Sequence, residues 1–364
     1  MEEIRAFTEE HLRDTANLYL RAMRGQSRPA PPALEDAFRE SFLENPWVSP
    51  EIASLVYLDK GQLVGFVGVI PRPMKFRGSD IRAATIASWM VDRESHRGLA
   101  GMKLLRKALD GPQEFSVTDG AGNEASTVWT ALGGRVSLVH SFNWMRILRP
   151  FQTARSFLSR ATPTLGNAFG LFTLPMDFLS SKVPSAMLRP PKSSCSFKSA
   201  STAELFECIQ ERRFNEALSP VYSMPSFAWL MNQAGTGSGH KGFRTMIVSN
   251  SKGALCGWFV YYVNPGAIAH VLQIGSHRKS EFADVLLALF QDAWEHGACA
   301  VRGQAIPQFL VTLTEQYCLF RQPYACVIGH SRNPEIINAF QTGDVWLSQL
   351  DAEAWLRFSS EDWT

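Results

Sequence analysis

The chain has 364 residues, 45% of them hydrophobic and 19% charged, with a formal net charge of +2. That length and apolar content suit two packed α/β units better than one, and the near-neutral balance without a polybasic run gives no reason to expect nucleic-acid binding. The opening Met-Glu-Glu-Ile-Arg lacks a basic segment followed by an apolar one, and no apolar window reaches about 18 residues, so neither a secretory signal nor a membrane span is expected.

In chain order, residues 4–8 read as a short strand. Residues 9–23 place Leu12, Ala16, Tyr19, Leu20 and Met23 on one helical face. A second amphipathic helix is expected over 33–43, then strands over 54–59, 62–70 and 81–91, with Lys60-Gly61 and Gly78-Ser79-Asp80 supplying turns. Helix follows over 98–109, strand over 114–118, helix over 123–132 and strand over 136–148. The segment 150–195 holds Pro150, Pro163, Pro175, Pro184, Pro190 and Pro191 and reads as a linker or docking segment.

The second half repeats features of the first in the same order. Lys60-Gly61-Gln62-Leu63-Val64-Gly65-Phe66 is matched by Lys252-Gly253-Ala254-Leu255-Cys256-Gly257-Trp258, Ser95-His96-Arg97 by Ser276-His277-Arg278, and Leu104-Leu105 by Leu286-Leu287. Two similar units are therefore expected, at 1–150 and 196–364, joined by 151–195. The six cysteines form no Cys-x-x-Cys pair and meet no His cluster at zinc-ligand spacing, which points to reduced, mostly buried thiols of a cytoplasmic protein and to no metal.

The stretch with the clearest chemistry is 88–105. A strand ends near Met90 and Val91, and a helix starts near Leu99. Gly98, Ala100 and Gly101 allow a ligand close to the backbone, and the free N–H groups around Leu99 to Met102 suit a pyrophosphate, with Arg97 adding a charge.

This stretch resembles the central motif of the GNAT acyltransferase superfamily, a strand followed by Arg/Gln-x-x-Gly-x-Gly/Ala opening a helix. Aligned on Leu104-Leu105, His96 takes the Arg/Gln position, Leu99 the first glycine and Gly101 the second; moved by one, Arg97 and Ala100 fall into place instead. Asn123 to Ala125 and Trp129 to Gly133 resemble the next helix of that family, which puts Asn123 near the pantetheine or diphosphate arm.

The resemblance implies two tandem α/β (α+β) domains, each a mixed, mainly antiparallel sheet flanked by helices. It implies acetyl-CoA or another acyl-CoA as donor and an amine or hydroxyl of a small or medium acceptor in the cleft between the halves. The alternative is a GNAT-fold protein that binds acyl-CoA or a partner without catalysis. The second half has His277-Arg278-Lys279 without glycine at the phosphate turn, and is not expected to bind CoA productively.

The family's proton-donating Tyr aligns with Trp129, whose indole is no acid at ordinary pH. Candidate bases are Asp119, His140 on the last strand and Ser88 through a water, with Glu124 and the Thr364 carboxylate as weaker ones. Asp119-Gly120 also suits an ordinary turn. Asp351-Ala352-Glu353-Ala354-Trp355 presents two carboxylates or a solvated helix face.

Overall fold

The computed structural model describes residues 2–92, 99–161, 173, 176, 177, 179, 182, 191–214, 216–236, 242–321, 325–353, 355 and 356. Two mixed sheets flanked by helices are present, as the resemblance implies. The chain divides into two compact units, and neither is continuous in sequence: Met1–Ser141 with Glu216–Gly239 and Tyr324–Thr364 form the first, Phe142–Asn215 with His240–Pro323 the second.

The first sheet contains β1 (Glu2–Ala6), β2 (Leu55–Asp59), β3 (Gln62–Phe76), β4 (Ser79–Val91), β5 (Phe115–Ala121), β6 (Arg135–Val136), β9 (Leu218–Pro220) and β15 (Cys326–His330). Their order is β1-β2-β3-β4-β5-β15-β6, with β9 beside β3. β3 runs past Ile70, where the sequence suggested an end, through Pro71 and Pro73. Val221 N donates to Pro73 O, so these prolines face away from β4 and their missing N–H groups break no rung of that ladder.

Four helices of this unit bear on the site: α1 (Leu12–Arg24), α2 (Pro32–Phe42), α3 (Leu99–Leu109) and α4 (Asn123–Ala131). α1 buries Leu12, Ala16, Tyr19 and Leu20 of the face expected from the sequence, but leaves Met23 exposed, while α3 sends Leu104 and Leu105 into a core shared with Trp129.

The second sheet contains β7 (Asn143–Ile147), β8 (Ser196–Ser199), β10 (Phe243–Ser249), β11 (Leu255–Tyr262), β12 (Ile268–Ser276), β13 (Ala300–Gln304) and β14 (Leu319–Arg321). Read from β8, the order β8-β10-β11-β12-β13-β7-β14 repeats the first sheet strand for strand. Both sheets place a strand from the other half of the sequence in the sixth position: β15 in the first, β7 in the second.

This corrects the sequential boundaries 1–150, 151–195 and 196–364. Alternating side chains reveal a strand near Trp144 but not the sheet it joins. The single strand expected over 136–148 is in fact β6, a helical turn at Leu138–Ser141, and β7. Within the proposed linker, Pro150–Ala161 is helical. Among the described residues no helix is long and apolar enough to cross a membrane.

Candidate active site

β4 and β5 run parallel for three residue pairs, Ala83↔Phe115, Ala84↔Ser116 and Thr85↔Val117, and then part. Beyond that point β5 continues to pair with β15, and β4 with β3. The part of β4 that lines the opening carries a bulge, because Phe66 faces Met90 but Gly68 faces Ala87. Ser88 takes the extra length in the left-handed region at φ +49°, a sparsely populated conformation for a residue with a side chain.

Two adjoining cavities occupy this opening and share Met23, Trp89 and Ala125. One, about 530 Å³, is lined by Met90, Val91 and Asp92 of β4, Gly101 of α3, and Glu124 and Val128 of α4. A Cβ on Gly101 would stand 3.0 Å from the Trp89 ring and 3.1 Å from Val91 Cγ2. The Gly101 carbonyl accepts a bond from Trp89 Nε1 at 3.2 Å. The small residue thus keeps the wall of this cavity thin.

The other cavity, about 510 Å³, is bounded by Tyr19 and Arg24 of α1, Ile86 and Ser88 of β4, Thr118 to Ala121 of β5, Trp129 of α4, and Gln349 and Glu353. All of this lining belongs to the first unit, although that unit draws on both halves of the sequence.

Glu353 lies at the centre of that opening. Its Oε2 accepts from Ser88 N at 3.4 Å, its Oε1 from Thr118 Oγ1 at 3.5 Å, and its own N–H donates to Asp119 Oδ1 at 3.3 Å. A Cβ on Gly120 would overlap Glu353 Oε1. Glycine beside Asp119 thus leaves the Glu353 carboxylate its place, where Asp-Gly suggested a turn; the two residues lie in β5.

Burial raises both carboxyls above the ordinary carboxylate range, because a charge there loses its water, and the Asp119 charge raises Glu353 further. Among the described residues neither carboxylate forms an ion pair.

The residues before and after Glu353 fix it in place. Asp351, 4% exposed, accepts from Arg72 Nη2 at 3.1 Å, from Tyr222 OH, and from Ser348 Oγ at 2.6 Å. Thr85 Oγ1 donates to the Asp351 carbonyl at 3.0 Å. Arg72 also stacks over Trp47 at 4.3 Å, and Trp47, Trp229 and Trp355 meet edge to face with centroids 5.6 and 5.4 Å apart. Asp351, Ala352 and Trp355 are thus buried and form no solvated helix face.

Several sequence candidates fall elsewhere. His140 sits in the helical turn Leu138–Ser141 rather than on a strand, with Nδ1 2.7 Å from Ser137 Oγ and its ring stacked on Phe340. Burial lowers its pKa to about 4, and it lines neither cavity. Asn123 opens α4, and Met102 lies on α3, without lining either cavity; Ala100 is buried and Leu99 is 65% exposed. His96, Arg97, Gly98 and Thr364 lie outside the described residues. Trp129, fully buried, forms a wall where an acid was wanted. Among the described residues no group of three or more His, Cys, Asp or Glu side chains could hold a metal ion.

Sequence reasoning kept Asp119 and Ser88 but missed Glu353 as their neighbour. Gly120, a glycine inside a strand, is the one local signal that something approaches β5 closely.

Residues 3–115 match the family described as an acetyltransferase (GNAT) domain. The first unit carries a GNAT domain. Solved structures of similar fold include a probable N-acyltransferase from Enterococcus faecalis, with TM-score 0.58, 13% identity, and 91% of this chain and 73% of that one covered. A GCN5-related N-acetyltransferase from Anabaena variabilis gives TM-score 0.59 and 11% identity, with 92% and 74% covered. N-myristoyltransferase of Saccharomyces cerevisiae, solved with bound myristoyl-CoA and inhibitors, gives TM-score 0.54 and 13% identity, with 90% and 79% covered. At these identities the likeness is one of GNAT fold. No curated protein sequence matches the chain.

Proposed function

We propose that the GNAT domain transfers an acetyl or other acyl group from CoA to an amine or hydroxyl of a small acceptor, by direct attack on the thioester. The observation that carries this reading is the parting of β4 and β5 into two adjoining cavities that end on Glu353 and Asp119. In the cavity beside Gly101 and α3, backbone groups of Met90 and Val91 no longer engaged with β5 are available to an extended amide-bearing arm. The N-terminal end of a helix suits a pyrophosphate, and Arg97 and His96 precede α3 in sequence.

The donor supplies an activated acyl carbon; the chain binds, orients and moves protons. Glu353 is the base on this reading, because its carboxylate faces the cavity and burial makes it eager for a proton. Ser88 and Thr118 hold that carboxylate, and Arg72 with Asp351 holds the segment that delivers it. The acceptor takes the cavity bounded by Tyr19, Arg24 and Gln349.

Calorimetric titration of acetyl-CoA against the wild type and Gly101→Glu tests the donor site. Binding to the wild type and none to the variant is expected; no binding to either rejects an acyl-CoA role. Thiol release over a panel of amines, amino-sugars and alcohols then tests turnover, and CoA binding without release from any acceptor would leave a binding protein.

A further inference from the structure

Acyl transfer moves two protons, one away from the attacking group and one onto the departing sulfur. Glu353 is placed for the first. For the second, Trp129 stands where the family resemblance sets an acid, and an indole N–H gives no proton at ordinary pH. The cavity does contain a second carboxyl, Asp119. Its Oδ1 accepts from the Glu353 backbone N–H at 3.3 Å, and Glu353 Oε1 lies beside Gly120, the next residue, so both carboxyls line the same wall of the cavity.

Charged and titratable neighbours are few. Tyr19 and Arg24 face the pair from α1, Glu124 of α4 lines the adjoining cavity, and Asp351 is turned into its own bonds with Arg72 and Tyr222. Arg24 Nε donates to Tyr19 OH at 3.1 Å. Among the described residues no cation is ion-paired to either carboxyl of the pair. Two neighbouring carboxyls lining one cavity, neither ion-paired, disfavour double ionisation, so the pair holds one proton.

We propose that Asp119 and Glu353 share one proton and use the pair in both directions of each turnover, Glu353 as base and Asp119 as acid. This rests on the acyl-transfer reading given above. As the acceptor nitrogen or oxygen bonds to the thioester carbon, its proton passes to Glu353. As the carbon–sulfur bond breaks, its electron pair stays on sulfur, which takes the proton of Asp119. The products are an amide or ester and a free thiol. The pair ends with one proton, now on Glu353, and the charge it began with; transfer from Glu353 to Asp119 restores the starting form. Burial raises both carboxyls, which agrees with a pair that holds one proton.

The test follows thiol release from acetyl-CoA with hydroxylamine as a small acceptor, across pH, for the wild type, Asp119→Asn, Glu353→Gln and Tyr19→Phe. Acetyl-CoA binding is measured alongside by calorimetry, and protonated carboxyl is followed by infrared absorption. The wild-type rate should rise and then fall with pH. Asp119→Asn should lose about 10- to 100-fold in rate and also lose the fall at high pH. Glu353→Gln should lose more, Tyr19→Phe should keep both limbs, and all should bind acetyl-CoA as the wild type does.

The infrared band of a protonated carboxyl should persist in the wild type at neutral pH and be absent from Glu353→Gln. A high-pH fall that survives Asp119→Asn, or that disappears in Tyr19→Phe, overturns the proposal. So does a wild-type protein without the band. If acetyl-CoA fails to bind while the band is present, the acyl-donor reading falls and the shared proton stands. Should Asp119→Asn not fold, Glu353→Gln and the band decide the shared proton.

Discussion

In the first sheet β4 and β5 share three residue pairs before parting, and in the second β12 and β13 likewise share three, Ile268↔Ala300 to His270↔Arg302. What lies beside the parting differs. Beside the first stand Gly101 and Ala125, and two cavities open. The alignment that puts Leu104 on Leu286 puts Ala100 on Phe282, the first residue of the helix Phe282–Glu295. Phe282 is fully buried and stacks flat on Phe309, centroids 3.8 Å apart and planes 2° from parallel. Where the first unit has the small Ala100 at this helix position, the second thus has a buried aromatic ring.

Several changes would break or sharpen that contrast. The largest effect is expected from Glu353→Gln, which should lower thiol release by about 100-fold or more while acetyl-CoA affinity holds; equal loss of both would remove Glu353 from the chemistry. Next is Gly101→Glu, which should abolish acetyl-CoA binding by calorimetry, whereas Ala283→Glu in the second unit should leave one binding event per chain unchanged. Two binding events in the wild type would erase the contrast.

Phe282→Ala should cost about 3–5 kcal/mol in urea unfolding, because a fully buried ring is lost, and should leave acetyl-CoA affinity within about twofold. Gly120→Ala forces Glu353 aside and should lower kcat about tenfold with donor affinity retained.

The smallest effect concerns stability. Folding raises the pKa of Asp119 and Glu353, so their contribution is complete below the unfolded value of about 4 and is lost as pH rises through the raised folded values. Glu353→Gln should therefore lose less thermal stability than the wild type when pH is raised, as scanning calorimetry would read.

How far the fold was legible follows from the range of the contacts. The Lys60-Gly61 hairpin, the apolar face of α1 and the helix α3 are set by neighbours within a few residues, and the sequence pattern locates them. The partners of β7 and β15 are not, because an alternating strand fits any sheet with a matching face. In the site, Ser88, Asp119 and Gly101 were legible from the strand-and-helix context. His140 was misplaced because the Ser137–Nδ1 bond favours a helical turn that alternation does not signal. Glu353 stayed hidden, since its position depends on Arg72 meeting Asp351 across most of the chain and on a missing Cβ at Gly120.

The placement of β15 between β5 and β6 has a consequence for biosynthesis. When the ribosome has made the first 150 residues, β5 and β6 both exist but nothing stands between them. The nascent first sheet must wait with an unfilled gap until residues 326–330 emerge, and Glu353 arrives later still. Closing so long a loop makes this step slow relative to the local hairpins. A fragment cut at residue 150 would expose the β5 edge and invite pairing with another chain. The candidate site is complete only once Glu353 has been synthesised.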